Sequence, residues 1–464
     1  MYGANVGLEI GKRALMAQQL SLNLTGHNIA NVNTPGFSRQ SSILETGMPM
    51  VLPFGSLGTG VNVSDIRRIR SLFLDQQFRS ESHRLGKWRF LNQTWNQVES
   101  IYNEPEDTGL SALLDSFWNS WQDLANNPES ESARVAVREQ ASILVNSFHH
   151  LSTQLRDLRE SLDTNINTMV QQINSTAAQI ADLNQSIATA ELTGNTANDL
   201  RDRRDYLVDQ LSQWVNVGVL QQSNGSYTVL LGGMALVDGT SHLQIATETQ
   251  SGGTSVTTRI FFQGTGIDIE RSGGELEGVL EARDTIIVER QAELDLLARE
   301  LMAAVNEVHR AGYGLGGNTD IDFFDPDTTG AADIELNSLI LQDVNYIAAS
   351  LNGEIGDNSN ALAMASLREA LVLQNGQATF NEYYASVIGK IGIKSQEAQN
   401  LEQNQMALIF QIEYARQSIS GVSLDEEMAN MIRYQHAFEA AARVISAMDS
   451  ALDTIINRMV AFTS

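Results

Sequence analysis

Cysteine is absent from the 464 residues. Disulfides, Cys-bound zinc, thiol nucleophiles and iron–sulfur ligation are thereby excluded together. Histidine is scarce: His27, His83, His149, His150, His242, His309 and His436 complete the set. They form no H-E-x-x-H or H-x-x-x-H spacing, and no G-x-S-x-G elbow, Walker A loop or convincing G-x-G-x-x-G turn occurs. No cofactor, no metal and no enzyme activity are therefore expected. Without about 18 consecutive apolar residues, no membrane-spanning helix is expected either. The N-terminus MYGANVGLEIGKRALMAQQL is amphipathic and lacks the parts of a cleaved secretory signal.

Basic residues are outnumbered, 30 against 56 acidic, for a net charge of −26. Affinity for phosphate backbones needs clustered Lys and Arg, so nucleic acid is excluded as a partner. A strongly acidic surface keeps a monomer soluble before it associates. With 42% apolar residues the chain can bury a sizeable core, and its length implies two to four packed units.

Proline is confined to Pro35, Pro49, Pro53, Pro105, Pro128 and Pro326, and after Gly392 the sole glycine is Gly421. The two strongest helix breakers are thus withheld from long tracts. Hydrophobic spacing fills those tracts. Leu424, Met431, Phe438, Ile445, Leu452 and Met459 recur every seven residues, with Tyr434, Ala441, Met448, Ile455 and Phe462 three places after most of them. Such an a/d stripe marks a helix that packs along its whole length. Leu8, Leu15, Leu22 and Ile29 repeat at seven near the other end. Further stripes run through Trp88–Tyr102, Leu162–Ile187, Leu294–Val308 and Phe380–Ile419, the last interrupted by Lys394 and Gln405.

Residues 215–270 read differently. Short β-branched runs such as Tyr227-Thr-Val229 and Arg259-Ile-Phe-Phe262 alternate with the turn pairs Asn224-Gly225 and Asp238-Gly239. That pattern predicts a small antiparallel β-unit inserted between helical halves. Residues 33–65 are expected to be extended or loop-like, and Ala311–Asn360 irregular with one or two short strands. The acidic stretch Asp320-Ile-Asp322-Phe-Phe-Asp325-Pro-Asp327 breaks the ligand alternation of a calcium loop and predicts a solvated turn. Glu426-Glu427 suits a helix N-terminal turn with Ser423 as cap.

Two segments carry a resemblance. Leu22–Gln40, LNLTGHNIANVNTPGFSRQ, is similar to the N-terminal signature of the flagellar axial family of rod, hook and hook–filament junction proteins, at Asn28, Ile29, Ala30, Asn31, Asn33, Thr34, Pro35, Gly36 and Phe37. The tail from Ser420 resembles the C-terminal signature of the same family at Gly421, Val422, Leu424, Glu426, Glu427, Tyr434, Gln435, Ala440, Ala441, Val444 and Ile445. Ser38-Arg39-Gln40, the segment Gly273–Asp284 and the stretch Gly312–Phe324 look most like the junction members. The resemblance implies export through the flagellar type III export apparatus without signal cleavage, and an extracellular place in the flagellum. It implies terminal helices that pair as a coiled coil lining a tube and become ordered on assembly. It further implies self-association in a ring, with the hook protein, a second junction protein and an export chaperone as partners; no membrane partner is expected.

The expected fold is mainly α: a long-helix bundle built from both ends of the chain, with a small inserted antiparallel β domain. Residues 1–65 and 421–464 form the terminal assembly segments, 66–214 and 271–420 the helical bundle, and 215–270 the β domain. The expected assembly interface comprises Leu8, Leu15, Leu22, Asn28, Ile29, Asn31, Asn33, Pro35, Gly36 and Phe37 on one side. On the other it comprises Leu424, Met431, Tyr434, Phe438, Ile445, Met448, Leu452 and Ile455. Pro35-Gly36 turns the chain from the inner helix toward the outer part. Two alternatives stand beside the junction role: a hook or distal-rod subunit forming a homopolymeric tube, and an exported enzyme with flagellar-type termini.

Overall fold

The computed structural model describes residues 2–52, 55–102, 109–252, 255–269 and 272–454. Helix α1 (Tyr2–Ala30) leads into strands β1 (Gln40–Thr46), β2 (Met50–Leu52), β3 (Gly55–Leu57) and β4 (Val61–Arg68). Helices α2 (Leu72–Tyr102), α3 (Leu110–Asn126), α4 (Glu131–Ala190) and α5 (Asn198–Trp214) follow. Six strands come next: β5 (Val217–Gln221), β6 (Tyr227–Leu231), β7 (Met234–Asp238), β8 (Ser241–His242), β9 (Ile245–Gly252) and β10 (Ser255–Phe262). Helix α6 (Gly274–Glu281) continues through a π-turn into α7 (Ile287–Arg310). Short α8 (Ser338–Gln342) and α9 (Ser359–Ser366) precede the long α10 (Phe380–Ser420) and α11 (Leu424–Asp453).

Helix α4 is 60 residues long because nothing inside it breaks it. Ser130 accepts the Ala133 N–H at its start, and left-handed Gly194 ends the tract just beyond. Its apolar stripe from Leu162 to Ile187 is buried except at Leu183, which is half-buried. Helix α3 places Phe117, Trp118 and Trp121 against it, and these rings meet Phe323, Phe324 and Phe380 at centroid separations of 5.4–6.4 Å. The expected solvated turn at Asp320–Asp327 is thus corrected. Phe323 and Phe324 are fully buried, and the Asn306 side chain accepts both of their N–H groups. The aromatic pair that rules out a calcium loop is the pair that pulls the segment into the core.

The β-unit is built from local turns. Strands β5–β6–β7–β8 form an antiparallel meander, and β9 pairs with β10 as a separate hairpin. Gly225 and Gly239 take positive φ at the expected turns. Two side chains of α4 dock the unit. Asn174 exchanges both hydrogen bonds with the Ile245 backbone at 2.8 Å. Asn184 accepts the Tyr227 N–H and donates to the Tyr227 and Gly239 carbonyls. A buried amide here stands in for a neighbouring strand, satisfying edge groups that would otherwise be orphaned.

Residues 33–65, expected to be extended or loop-like, hold paired extended chain: β1 pairs with β4 from Gln40↔Arg68 to Thr46↔Val61, with a bulge after Ile43. The hairpin runs to Arg68, past the expected boundary at 65. The segment 311–360 has no named strand among the described residues; it holds isolated bridges such as Tyr313↔Ser350, the short helix α8, a 3-10 turn at Val344–Tyr346 and the start of α9.

His309 sits fully buried beside this core. Its Nδ1 donates to the Ile321 carbonyl at 2.6 Å, and its Nε2 accepts the Ala348 N–H at 3.0 Å. Burial draws the imidazole pKa down to about 4, and a second proton would displace the Ala348 bond. The unfolded chain binds that proton near pH 6.5, so the native state holds fewer protons in between and stability rises with pH across this window. Unfolding free energy is expected to fall by about 3 kcal/mol on this account between pH 6.5 and 4. Urea titrations at both ends of the window should find that His309→Gln removes that contribution.

Candidate assembly interface

The two ends of the chain meet. Helix α1 carries Gly3, Gly7 and Gly11 four residues apart, a spacing that aligns them on one helix face. A Cβ at Gly7 would lie 2.9 Å from the Met448 sulfur, and one at Gly11 would lie 2.8 Å from Ile445 Cγ1. At the other end Asn28 Nδ2 donates to Glu427 Oε2 at 3.2 Å. Rising numbers on α1 match falling numbers on α11, so the helices form an antiparallel coil. An adjoining flank of α1 faces the β1–β4 hairpin, where the Ser21 and Ser42 hydroxyls lie 2.9 Å apart and Gly60 closes on Ile10.

Leu8, Leu15, Leu22 and Ile29 are half-buried, as are Met431, Tyr434, Phe438, Ile445, Met448 and Leu452. Leu424 is 45% exposed, and Ile455 lies outside the described residues. The deepest positions are Gly11, Ala17, Ser21, Leu24, Thr25 and Asn28 on α1, and Glu427 and Ala441 on α11. Of these, Asn28 was expected at the interface and Ala441 stands in the a/d stripe, whereas Gly11, Ala17, Ser21, Leu24, Thr25 and Glu427 fall outside the heptad reading. The glycine spacing at 3, 7 and 11 is the signal that finds Gly11. Each tail covers one flank of the other. The outer flank of α11 stays open, with Met428 and Ile432 51% and 58% exposed.

The turn after α1 is fixed by its own polar residues. Asn31 donates to the His27 carbonyl and accepts the Thr34 hydroxyl. Asn33 and Pro35 are exposed, and Gly36 turns the chain with φ +77°, where an added Cβ would strike Tyr206. Phe37 returns edge-on to His27 at 5.4 Å. Asn28 then exchanges two bonds with the Gln40 backbone, at 2.9 and 3.0 Å. Arg39 reaches Glu427 at 2.7 Å and Glu426 at 2.8 Å. The glutamate pair, read from sequence as helix-end charge, is thus also one half of an ionic clamp. Ser423 accepts the Glu426 N–H as the cap.

Below the clamp lies a buried joint of four arginines and four aspartates. Arg68 contacts Asp202 and Asp205 at 2.7 and 2.9 Å. Arg70 meets Asp75 at 2.6 Å, and Arg79 meets Asp209 and Asp205 at 2.6 and 3.3 Å. Arg416 of α10 bridges Asp75 and Asp209 at 3.1 and 2.7 Å. Tyr227 of the β-unit donates to Asp205 at 2.8 Å, and Arg204 lies over its ring. Burial pushes the Asp205 carboxyl up, but Arg70, Arg68 and Arg79 outweigh it and hold the group well below the usual range. At Asp202 burial prevails over Arg68 and the Ser38 N–H, so that carboxyl moves up. Among the described residues no cluster of three acidic or imidazole groups is placed to hold a metal, and no helix is long and apolar enough to cross a membrane.

Comparisons with known proteins fit this layout. Residues 95–324 match the family model for the flagellar hook-associated protein FlgK helical domain. Residues 416–459 match the flagellar basal body rod FlgEFG protein C-terminal model, and residues 8–37 the flagella basal body rod protein model. The chain is 35% identical to flagellar hook-associated protein 1 of Bacillus subtilis over 98% of both chains. It is 27% identical to the Escherichia coli protein of the same name, over 96% of this chain and 98% of that one. The solved flagellar hook junction protein FlgK from Burkholderia pseudomallei superposes with a TM-score of 0.67, over 74% of this chain and all of that chain, at 19% identity. That likeness establishes the shared fold.

Two measurements probe the interface and the joint. Gly11→Leu overfills the contact with Ile445 and should cost the coil about 1–3 kcal/mol. Exchange mass spectrometry should then find α11 amides exchanging faster while α4 stays protected. Asp205→Asn leaves three arginines short of a counter-charge and should cost about 3–5 kcal/mol at neutral pH. Because the Asp205 pKa is depressed, its contribution is complete above the ordinary carboxylate value of about 3.9 and lost as pH falls further. The gap between variant and wild type in urea titrations should therefore narrow toward pH 3.

Proposed function

The chain belongs to the flagellar hook-associated protein 1 family, and from that premise we propose that it joins hook to filament by burying the open flanks of its terminal coil against neighbouring copies. It is a structural subunit of the bacterial flagellum. The observation that carries the proposal is the pairing of the two family-matched ends. Helices α1 and α11, which lie in the two matched segments, meet in one antiparallel coil, and the outer flank of α11 leaves Met428, Ile432 and Val444 exposed among charged residues.

Each Leu, Ile or Met moved from water into a neighbour's surface contributes roughly 1.5–3 kcal/mol. Met428, Ile432 and Val444 are candidates on α11, beside the stripe from Leu424 to Leu452 and its continuation through Ile455. On α1 the half-buried Leu8, Leu15, Leu22 and Ile29 have area left to cover. Repetition of one such contact around an axis closes a ring. The hook protein lies on one side of that ring and the second junction protein on the other. The protein reaches this place through the flagellar type III export apparatus, with a chaperone holding its C-terminal helix until then. It acts by shape and adhesion rather than by catalysis.

Deleting residues 421–464 in the native cell tests the reading. Hooks without filaments, and filament protein free in the medium, are the expected outcome under electron microscopy and blotting. Normal filaments in that strain refute the junction role.

A further inference from the structure

We propose that Arg39 is the positioning residue for the C-terminal helix: it spans the break between α10 and α11 and sets the direction in which α11 leaves the bundle.

The break is short. Helix α10 ends at Ser420, and Gly421, Val422 and Ser423 separate it from α11. Three residues of this kind do not by themselves fix an angle between two long helices. Arg39 touches both sides of the break. Its N–H donates to the carbonyl of Ser420, the last residue of α10, at 2.9 Å. Its carbonyl accepts the Ile69 N–H at 2.8 Å, where the chain passes from the hairpin to the joint. The backbone of Arg39 is thus held by the bundle side. Its guanidinium then grips the first turn of α11, through Glu427 at 2.7 Å and Glu426 at 2.8 Å.

The two contacts differ in kind. Glu426 is well exposed, so its pair is a surface contact of small worth. Glu427 is 2% exposed. A carboxylate so placed must be compensated, and Arg39 supplies the charge while Asn28 Nδ2 adds a second donor. Without the guanidinium, Glu427 regains solvation by swinging the first turn of α11 outward. One forked cation reaches two carboxylates at once, which an ammonium point charge does not reproduce. The direction of the C-terminal helix is therefore written in the N-terminal half of the chain. The bearing of this on assembly rests on the junction reading, but the positioning itself is intramolecular.

The test uses the full chain in dilute solution. Its lack of cysteine lets exposed Gln411 of α10 and Gln435 of α11 be changed to Cys and spin-labelled. Pulsed dipolar spectroscopy then reads the distance between the two helices. A single narrow distance is expected for the wild-type background. Arg39→Gln and Glu427→Gln should each lose that narrow peak, with bundle melting unchanged. The exchanged pair, Arg39→Glu with Glu427→Arg, should restore it, which a merely space-filling role of Arg39 would not produce. A broad wild-type distribution, single variants that remain narrow, or an exchanged pair as broad as the singles each overturns the proposal. None of these readings depends on whether the protein sits between hook and filament.

Discussion

The buried joint of Arg68, Arg70, Arg79 and Arg416 with Asp75, Asp202, Asp205 and Asp209 is the constraint on which the rest of the molecule depends. It gathers the end of the N-terminal hairpin, the start of α2, the middle of α5 and the end of α10. Tyr227 adds the β-unit to the same point. Removing an arginine from the pairs around Asp202 and Asp205 strands a buried carboxylate. A joint with matched charges is therefore all-or-none, and it fixes how the parts distant in sequence face one another. Apolar packing sets register by shape, and the joint adds the directionality of its ion pairs. Directional ion pairs do not slide.

The helices were legible from residue spacing. The 60-residue α4 follows from the absence of breakers, and α10 from a stripe that tolerates Lys394 and Gln405. Lys394 is exposed, and Gln405 is buried by bonding to Glu81. The hairpin turns at Gly225 and Gly239 were equally plain, because local turn chemistry needs only adjacent residues. The β1–β4 hairpin was hidden because its strands are separated by a long, proline-bearing excursion and one face of it rests on α1. Nothing within either strand announces such a partner.

At the terminal coil, periodicity identified the right helices and, in part, the wrong depth. Large residues at seven-residue spacing mark a face, whereas the close approach to α11 is made by Gly7 and Gly11. Long-range pairs such as Arg39 with Glu427, and Asn28 with Glu427, cannot be read from one sequence. Each residue has an adequate local role, as helix-end charge or turn-former, and only the fold reveals the second partner. The same is true of Asn174 and Asn184, which look like ordinary polar positions on a long helix until the strands they dock are seen.

The antiparallel sense of the terminal coil has a consequence for crowding. Helices α1 and α11 are 29 and 30 residues long, so their backbone dipoles nearly cancel. Each tip of the coil presents one amino end beside one carboxyl end. Many single helices set upright around a common axis would repel one another, head beside head and tail beside tail. Folded-back pairs carry no such polarity, so they can stand side by side at no electrostatic cost from their own peptide groups.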